Sequence, residues 1–171
     1  EAIGNLPPIG AGEDNSNDRL HITSGLSDKN LQRIQHSTQG GSWREWPEDL
    51  KLACHKKEGG KTYTSVYGRM SWEDVAPTIT TQFTGYGTGR FGHPEQDRAI
   101  TLREGAIIQT FPEDYSFVPL NQKIVIKDVS RQIGNAVPPR LGEIIGLSIL
   151  NHCKKRKYVR KKNTQATEEG K

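Results

Sequence analysis

The side chains best placed to bind a ligand lie near the end of the chain, in the run Arg131-Gln132-Ile133-Gly134-Asn135-Ala136-Val137-Pro138-Pro139. Gly134 lets the backbone turn, because glycine tolerates conformations closed to other residues. Asn135 offers both a hydrogen-bond donor and an acceptor, and Ala136 is small enough to admit a ligand. A helix cap is the other ordinary use of an asparagine at such a place. From its residues alone, the run allows either a ligand-binding bend or a capped helix.

A second candidate is the glycine-rich stretch from Thr84 to Gly92, which reads Thr-Gly-Tyr-Gly-Thr-Gly-Arg-Phe-Gly. Glycine populates positive φ without penalty, so we expect a loop whose backbone can approach a ligand closely. Arg69, in Tyr67-Gly68-Arg69-Met70, precedes it.

Metal and disulfide chemistry are not indicated. Cys54 and Cys153 are the only cysteines, too few for a disulfide framework or a cysteine metal site. Cys54 and His55 are adjacent, and in an extended segment neighbouring side chains point apart. The five histidines show no metal-ligand spacing. We therefore expect no metal and a reduced, cytoplasmic protein.

Composition limits the class of protein. Of 171 residues, 32% are hydrophobic, while 18 are glycine and 9 are proline, which predicts a small core rich in loops. No apolar run approaches the roughly 20 residues that span a bilayer, and no secretory pattern is present, so we expect no membrane partner. The chain begins at Glu1 and its one methionine is Met70, so we expect it to be part of a longer polypeptide.

The positive charge is concentrated at one end. The net charge is +4, and residues 154 to 162 carry seven Lys or Arg and no acid. Such a run can be a solvated terminus, a weak phosphate contact or an address signal. Because it is polar and charged, we expect residues 153 to 171 to form a disordered basic tail.

Few regular elements are predicted before the last third of the chain. Residues 1 to 35 are predicted to be a connecting segment with a short helix capped by Ser27, with Leu31 and Ile34 on one face. The stretch from Pro77 to Phe83 is predicted to be a strand, because it contains β-branched residues and its proline lies at the edge.

Helices are predicted towards the end. Thr101 and Glu104 have capping-box spacing, and Pro112 should end the helix that follows. Residues 123 to 126 fit either a strand or the lead into a helix that ends near Ile133. A longer helix from about Pro138 to His152 begins on prolines suited to a first turn, and its apolar face comprises Leu141, Ile144, Ile145 and Ile149.

Three runs in this order and spacing resemble the last two sequence blocks of DNA cytosine-5 methyltransferases. They are Thr101-Leu102-Arg103-Glu104-Gly105-Ala106, Gln109-Thr110-Phe111-Pro112-Glu113-Asp114-Tyr115 and the Arg131 to Pro139 run. That family transfers a methyl group from S-adenosylmethionine to carbon 5 of a cytosine flipped out of the duplex. The resemblance extends from about Ala2 to about Ile149 and implies a C-terminal portion of such an enzyme.

The resemblance implies an α+β fold. We expect a small, irregular, β-rich target-recognition domain, followed by C-terminal helices that complete a Rossmann-like methyltransferase domain. The expected divisions are residues 1 to 35 as the connection, 36 to 96 as the target-recognition region, 97 to 152 as the ninth and tenth family blocks, and 153 to 171 as the tail.

The resemblance also implies contacts with double-stranded DNA. Arg69 matches an arginine-bearing recognition loop, and an arginine can donate two hydrogen bonds to guanine, worth roughly 1–3 kcal/mol of discrimination. Backbone N–H groups of a glycine-rich loop can reach base edges or phosphates. In the other interpretation, Arg69 forms a surface salt bridge and the glycines turn a hairpin. The residues expected to contact DNA are Arg69, Thr84, Gly85, Tyr86, Gly87, Thr88 and Arg90.

For the cofactor, the resemblance implies that Asn135, Ala136 and Val137 line the S-adenosylmethionine pocket. Arg103 is expected to organise the small domain by packing and hydrogen bonding, and Gly134 to be structural. Capping-box spacing accounts for Glu104, and a turn accounts for Glu113 and Asp114, so none of them is expected to be a general acid or base.

No catalytic residue is expected in this chain. The reaction needs a thiolate, an acid near cytosine N3 and a cofactor pocket. The family supplies these through a Pro-Cys-Gln loop, a Glu-Asn-Val block and a Phe-x-Gly-x-Gly turn, none of which occurs here. We therefore expect the N-terminal methyltransferase half as a partner, in a cytoplasmic, nucleoid-associated enzyme of restriction–modification type. The alternatives are a stand-alone, non-catalytic DNA-binding module or regulatory subunit, and a protein-interaction domain without a DNA role.

Overall fold

The computed structural model describes residues 2–60 and 62–168, with side chains described as far as Arg156. Its contacts divide the chain into two compact units, Glu1–Ala136 and Val137–Lys171. The division falls inside the predicted segment 97 to 152, directly after the Gly134-Asn135-Ala136 run.

The first elements of unit one are a hairpin and a helix. Strands β1 (Asp14–Asn15) and β2 (Asp18–Ile22) pair antiparallel, with an irregularity in register between Asp14 and Asn15. Helix α1 (Asp28–Gln35) begins at Ser27, whose hydroxyl accepts a hydrogen bond from Asn30 N. The predicted N-cap is confirmed, and it satisfies one of the N–H groups that a helix start leaves unpaired.

The middle of the chain contains short helical turns. They are the 3-10 turn Trp43–Glu45, helix α2 (Ala53–Lys56), and the 3-10 turns Glu58–Gly60 and Tyr86–Thr88. In the described part of residues 36 to 96 the structure shows isolated bridges, Arg69 with Gly92 and Gly92 with Ala99, and no strand. Strands expected here are replaced by turns, whose backbone groups bond three residues apart along the chain.

The strand predicted from Pro77 to Phe83 is wrong. The backbone turns at its end, where Phe83 N donates to Thr80 O and Gly85 N donates to Gln82 O. Ile79 and Phe83 both reach one core, and a strand would place them on one face as well, so the alternation alone could not exclude a turn. Tertiary packing has overridden local β-propensity.

Helix α3 (Leu102–Ile108) has the predicted capping box. Thr101 Oγ1 accepts from Glu104 N at 3.0 Å, and Glu104 Oε2 accepts from Thr101 N at 2.7 Å. The helix ends before Pro112, where Thr110 adopts a φ of 65°. Helix α4 (Ile126–Asn135) follows, so residues 123 to 126 are the lead into a helix.

Helix α5 (Pro139–Glu168) forms unit two and extends further than predicted. The expected disordered tail covers residues 153 to 171, whereas the helix continues to Glu168; residues 169 to 171 lie outside the described residues. The difference has a local reason, because residues 147 to 168 contain no glycine or proline and seven Lys or Arg, which propagate helices well.

Unit one has two hydrophobic clusters. The first joins the hairpin, α3 and α4, and contains Ile3, Leu20, Met70, Ile79, Phe83, Phe91, Ile100, Leu102, Ala106, Val129 and Ile133. The second lies under α1 and the Trp43 turn, and contains Ile34, Trp43, Trp46, Leu50, Tyr86 and Ala99. No helix among residues 2–60 and 62–168 is long and apolar enough to cross a membrane. Completion of a Rossmann-like domain stays a prediction.

Candidate functional site

Arg69, predicted to contact a DNA base, is buried and engaged within the protein. Its Nη2 donates to Ile34 O at 2.9 Å and pairs with Asp97, while its Nη1 donates to Pro94 O at 3.2 Å. Only 6% of the residue is exposed. The guanidinium therefore ties α1 to the segment that precedes α3. In this structure it is engaged within the protein, as in the salt-bridge interpretation, with Arg69 buried and the Asp97 side chain 39% exposed.

Tyr86 is also inside the protein rather than on a DNA-facing surface. Its hydroxyl lies 3.1 Å from Ser37 Oγ, and its ring meets Tyr67 edge-on at 5.5 Å between centroids. Burial raises the pKa of Tyr86 to about 12. The side chain therefore acts as a core residue of the second cluster.

The glycines of this loop serve close packing rather than unusual backbone angles. Among the described residues, the glycines with positive φ are Gly12 and Gly40, which lie elsewhere. A Cβ on Gly87 would lie 2.9 Å from Tyr67 Cζ, and one on Gly85 would lie 3.1 Å from Thr88 Cγ2. The described glycines of this loop do not use the positive φ that glycine permits, and they make room for neighbouring side chains instead.

The loop leaves Thr84, Thr88 and Arg90 as candidates for DNA contact. Thr88 is exposed, and its hydroxyl donates to Gln82 O and Gly85 O, both at 2.7 Å. Arg90 is exposed, with its stem crossing Gly68. Thr84 is 7% exposed, and its hydroxyl has no partner among the described residues.

A buried ionic network lies at the start of α3. Arg98 donates Nη1 and Nη2 to the two carboxylate oxygens of Glu104, both at 2.8 Å, and each side chain is fully buried. Burial raises the pKa of Glu104, but the hydrogen bonds and charge of Arg98 outweigh it and lower that pKa overall. Glu104 is therefore a capping and pairing carboxylate, which agrees with its predicted exclusion as a general acid.

Arg103 joins α3 to β2. Its Nε and Nη2 donate to the two carboxylate oxygens of Asp18 at 2.5 and 2.9 Å. Burial raises the pKa of Asp18, whereas the hydrogen bonds and charge of Arg103 and the Leu20 N–H lower it, and the net direction is down. Arg103 thus lies where it links two elements of unit one.

The bend predicted to face the cofactor lies at the end of α4 and is held by Gln109. Gln109 Nε2 donates to Ile133 O at 3.0 Å and to Ala136 O at 3.4 Å. The Asn135 side chain is exposed and has no partner among the described residues. Val137 is 67% exposed.

These groups fit one wall of a nucleoside pocket. The amide of Asn135 can donate and accept, and Ala136 is small, while Val137 begins the second unit. The first two properties suit an adenosine moiety, so the residues present are compatible with S-adenosylmethionine.

Gly134 is required for close packing, not for a turn. It lies within α4, where a Cβ would overlap the Thr80 carbonyl and lie 2.5 Å from Thr81 N. The prediction that Gly134 turns the backbone is therefore wrong in its physical reason. The residue lets α4 press against the backbone of residues 80 and 81.

The remaining reactive side chains show no catalytic grouping. Cys54 and Cys153 are exposed, and no group of three His, Cys, Asp or Glu among the described residues could hold a metal. His55 lies on α2 rather than in an extended segment, and its ring stacks on Trp43 at 4.2 Å. Glu113 and Asp114 lie in the predicted turn.

Sequence reasoning missed Arg98, Gln109 and His93. Arg98 precedes the capping-box glutamate by six residues, and no local rule pairs residues at that distance outside a helix. Gln109 was seen only as part of a motif. His93 Nδ1 accepts hydrogen bonds from Glu95 N and Gln96 N and so closes a short turn. A histidine in the sequence does not ordinarily predict such a turn.

Comparison with known proteins adds to this geometry. Residues 5 to 151 match the family described as C-5 cytosine-specific DNA methylase. The chain is 59% identical over 149 residues to Type II methylase M.HgiDII of Herpetosiphon aurantiacus, covering 87% of this chain and 42% of the relative. It is 38% identical over 135 residues to Type II methyltransferase M1.BsuMI of Bacillus subtilis, covering 79% and 30%.

A plant protein is similar to the same region. DNA (cytosine-5)-methyltransferase 3 of Arabidopsis thaliana is 34% identical over 171 residues, which cover 85% of this chain and 12% of the relative. The chain thus spans less than half the length of each of these three relatives. By the match over residues 5 to 151, the chain belongs to the C-5 cytosine-specific DNA methylase family.

Proposed function

We propose that this chain is the C-terminal part of a DNA cytosine-5 methyltransferase, which recognises the target duplex and completes the S-adenosylmethionine site. The nucleophile-bearing half is then a separate polypeptide or a segment outside these 171 residues. Support comes from family membership and from the similarity to two Type II methylases, whose names also favour a modification enzyme of a restriction system.

The observation that carries the cofactor role is the open bend after α4. Gln109 bonds to two of its carbonyls, and Gly134 presses its other side against residues 80 and 81. The bend is therefore fixed by unit one while the Asn135 amide stays free. Because the backbone of the bend is already fixed, binding need only order the Asn135 side chain, which keeps the entropy cost low for one wall of a shared pocket.

The chemistry divides between this chain and the other half. When bound, S-adenosylmethionine supplies an electrophilic methyl group. With the cofactor bound, Asn135 would orient the nucleoside and Ala136 would leave room for it. The thiolate that adds to cytosine C6 and the acid near N3 come from the other half, because Cys54 and Cys153 lack the surroundings of a nucleophile.

Reconstitution tests this proposal. The chain is mixed with the N-terminal methyltransferase half of M.HgiDII, duplex DNA and S-adenosylmethionine labelled on the methyl group. We expect label on cytosine only when both halves are present. Asn135→Ala should raise the KM for S-adenosylmethionine about 10-fold, the value of one lost hydrogen bond in a closed site, and should leave the KM for DNA unchanged.

Asn121→Ala, at an exposed position in another loop, is the matched control and should behave as wild type. If the mixture transfers no methyl group while the chain alone binds duplex DNA tightly, the chain is a non-catalytic DNA-binding module. If it binds no DNA even at low salt, where phosphate contacts are strongest, the DNA role is wrong.

A further inference from the structure

We propose that a cleft between the 81–88 segment and α4 binds a backbone phosphate of the DNA duplex, with Lys127 and Arg131 as its cations; this inference rests on the proposed function. The cleft has a volume of about 550 Å³. Neither cation belongs to the residues that the sequence predicts to contact DNA. The lining residues are Ser24, Thr81, Gln82, Thr84, Gly85, Thr88, Ile126, Lys127, Ser130 and Arg131.

The charge of the lining is the first argument. Lys127 and Arg131 lie one helical turn apart on α4, and no lining residue is acidic. Four other clefts of the described chain each contain a carboxylate, among them Glu48, Asp74 and Asp18 with Glu113. A lining with two cations and no acid favours an anion; Lys127 carries the unpaired charge, because Arg131 pairs with Asp128, a neighbour outside the lining, at 2.6 Å.

Free hydrogen-bond donors are the second argument. The hydroxyls of Ser24, Thr81 and Thr84 have no partner among the described residues. Lys127 has no ion-pair partner there either, and the first turn of α4 lacks a side-chain cap. Hydroxyls, cations and the uncapped start of a helix are the groups that proteins use for phosphate oxygens.

The walls of the cleft are held in place. Ser130 Oγ donates to Thr81 O at 3.1 Å, which fastens α4 to the opposite wall. Gly134 allows the same helix to press against residues 80 and 81. A phosphate therefore meets a preformed site, so little ordering is needed for binding.

The lining favours a phosphodiester over a base. None of the ten lining residues is aromatic, so the cleft offers no surface for base stacking. The cleft also adjoins the loop that carries Thr84 and Thr88, two of the residues expected to contact DNA. A duplex lying along that loop would bring its backbone across the cleft.

The test measures duplex-DNA binding by fluorescence anisotropy between about 50 and 200 mM salt, with the wild-type chain and Lys127→Gln/Arg131→Gln. Each phosphate contact contributes a slope of about 0.9 to the fall of log K with log salt. We expect the double variant to lose about 1 to 2 units of slope, equally on any DNA sequence. Both side chains are exposed, so the melting temperature should stay that of the wild type.

Lys29→Gln/Lys57→Gln is the control, because it removes the same charge from two exposed positions outside the cleft. Its slope should equal that of the wild type. Asp128→Asn should change the salt slope in the opposite direction. Asp128 Oδ1 pairs with Arg131 Nη2 at 2.6 Å, so the variant frees Arg131 for a phosphate and should steepen the slope.

Three outcomes would overturn the inference. An unchanged slope in both the cleft variant and Asp128→Asn removes the cleft from the DNA site and leaves the proposed function standing. In the second outcome, the wild type binds inorganic phosphate saturably, the double variant does not, and duplex DNA does not compete. That result would assign the cleft to a free anion. Absence of duplex binding by the wild type at about 50 mM salt, where phosphate contacts are strong, overturns both proposals.

Discussion

At the scale of single residues, the most constrained group is the Arg98–Glu104 pair. Two charges taken out of water are costly unless their hydrogen bonds are satisfied. Arg98 meets both Glu104 oxygens, and its Nε also donates to Ile9 O at 3.2 Å. Glu104 accepts in addition from Thr101 N. One pair thus fixes the N-terminal connection, the segment before α3 and the start of α3.

His93 lies against this pair in its neutral form. Its Nδ1 accepts from Glu95 N and Gln96 N, so the proton is carried by Nε2, which lies 3.6 Å from Glu104 Oε1. Burial lowers the pKa of His93 to about 4 from an ordinary 6.5, with Arg98 acting in the same direction and Glu104 opposing it. Protonation of Nδ1 would break two backbone hydrogen bonds.

His93 predicts an acid-dependent loss of stability. Between pH 6.5 and 4 the unfolded chain binds a proton at His93 and the folded chain does not, so the free energy of unfolding falls as pH falls through that window. His93→Asn keeps an acceptor near the position of Nδ1 and cannot titrate. Urea unfolding at a series of pH values across that window should show a shallower decline for the variant.

The carboxylates act in a different window. The pKa values of Asp18 and Glu104 are lowered by folding, so their contribution to stability is lost below about pH 4.5, as each is protonated. The wild type and His93→Asn should therefore share the steep decline below about pH 4. If the free energies of unfolding of the wild type and His93→Asn ran parallel between pH 6.5 and 4, His93 would be protonated in the folded chain as well.

At the scale of elements, α4 is positioned by a contact that only glycine permits. The helix contributes Val129 and Ile133 to the first core cluster and carries the cofactor bend at its end. Its approach to residues 80 and 81 sets how far that bend lies from the rest of unit one. Any side chain at Gly134 would have to displace backbone atoms, which cannot rotate away as a side chain can.

Gly134→Ala should therefore destabilise the chain by about 3 kcal/mol, the upper end of overpacking costs. Gly142→Ala is the matched control, since Gly142 lies in α5 with no atom within 4 Å of the place that a Cβ would take, and it should gain about 0.5–1 kcal/mol of helix stability. Thermal unfolding followed by circular dichroism measures both. A Gly134→Ala protein that melts like the wild type would mean that α4 moves freely against residues 80 and 81.

The elements differ in how far sequence predicts them. Ser27 and the Thr101–Glu104 box were predictable because capping is local chemistry within four residues. Arg69 and the stretch from Pro77 to Phe83 were not, because their structure depends on partners far along the chain, such as Asp97, 28 residues after Arg69. The bend residues were predicted from a motif, whereas the physical use of Gly134 depends on a contact with backbone more than fifty residues earlier in the chain.

At the scale of the whole molecule, α5 is apolar around much of its circumference. Six Leu or Ile side chains in its first three turns are each 48–59% exposed, namely Leu141, Ile144, Ile145, Leu147, Ile149 and Leu150. Their spacing places them on several faces rather than on one stripe. A helix that is apolar all round belongs in a core, so this pattern supports the proposed assembly with a methyltransferase half.

Replacing two of these side chains should weaken that assembly. Covering a half-exposed Ile gains on the order of 1 kcal/mol, so Ile144→Gln/Ile145→Gln should lose about 2 kcal/mol of association energy, which is about 30-fold in affinity. The measurement is the concentration of the N-terminal half that gives half-maximal methyl transfer in the reconstitution. Glu143→Gln, on the same helix and 53% exposed, should leave that concentration unchanged. Equal concentrations for the wild type and both variants would mean that the exposed isoleucines meet solvent in the active enzyme, and that the two halves join through unit one alone.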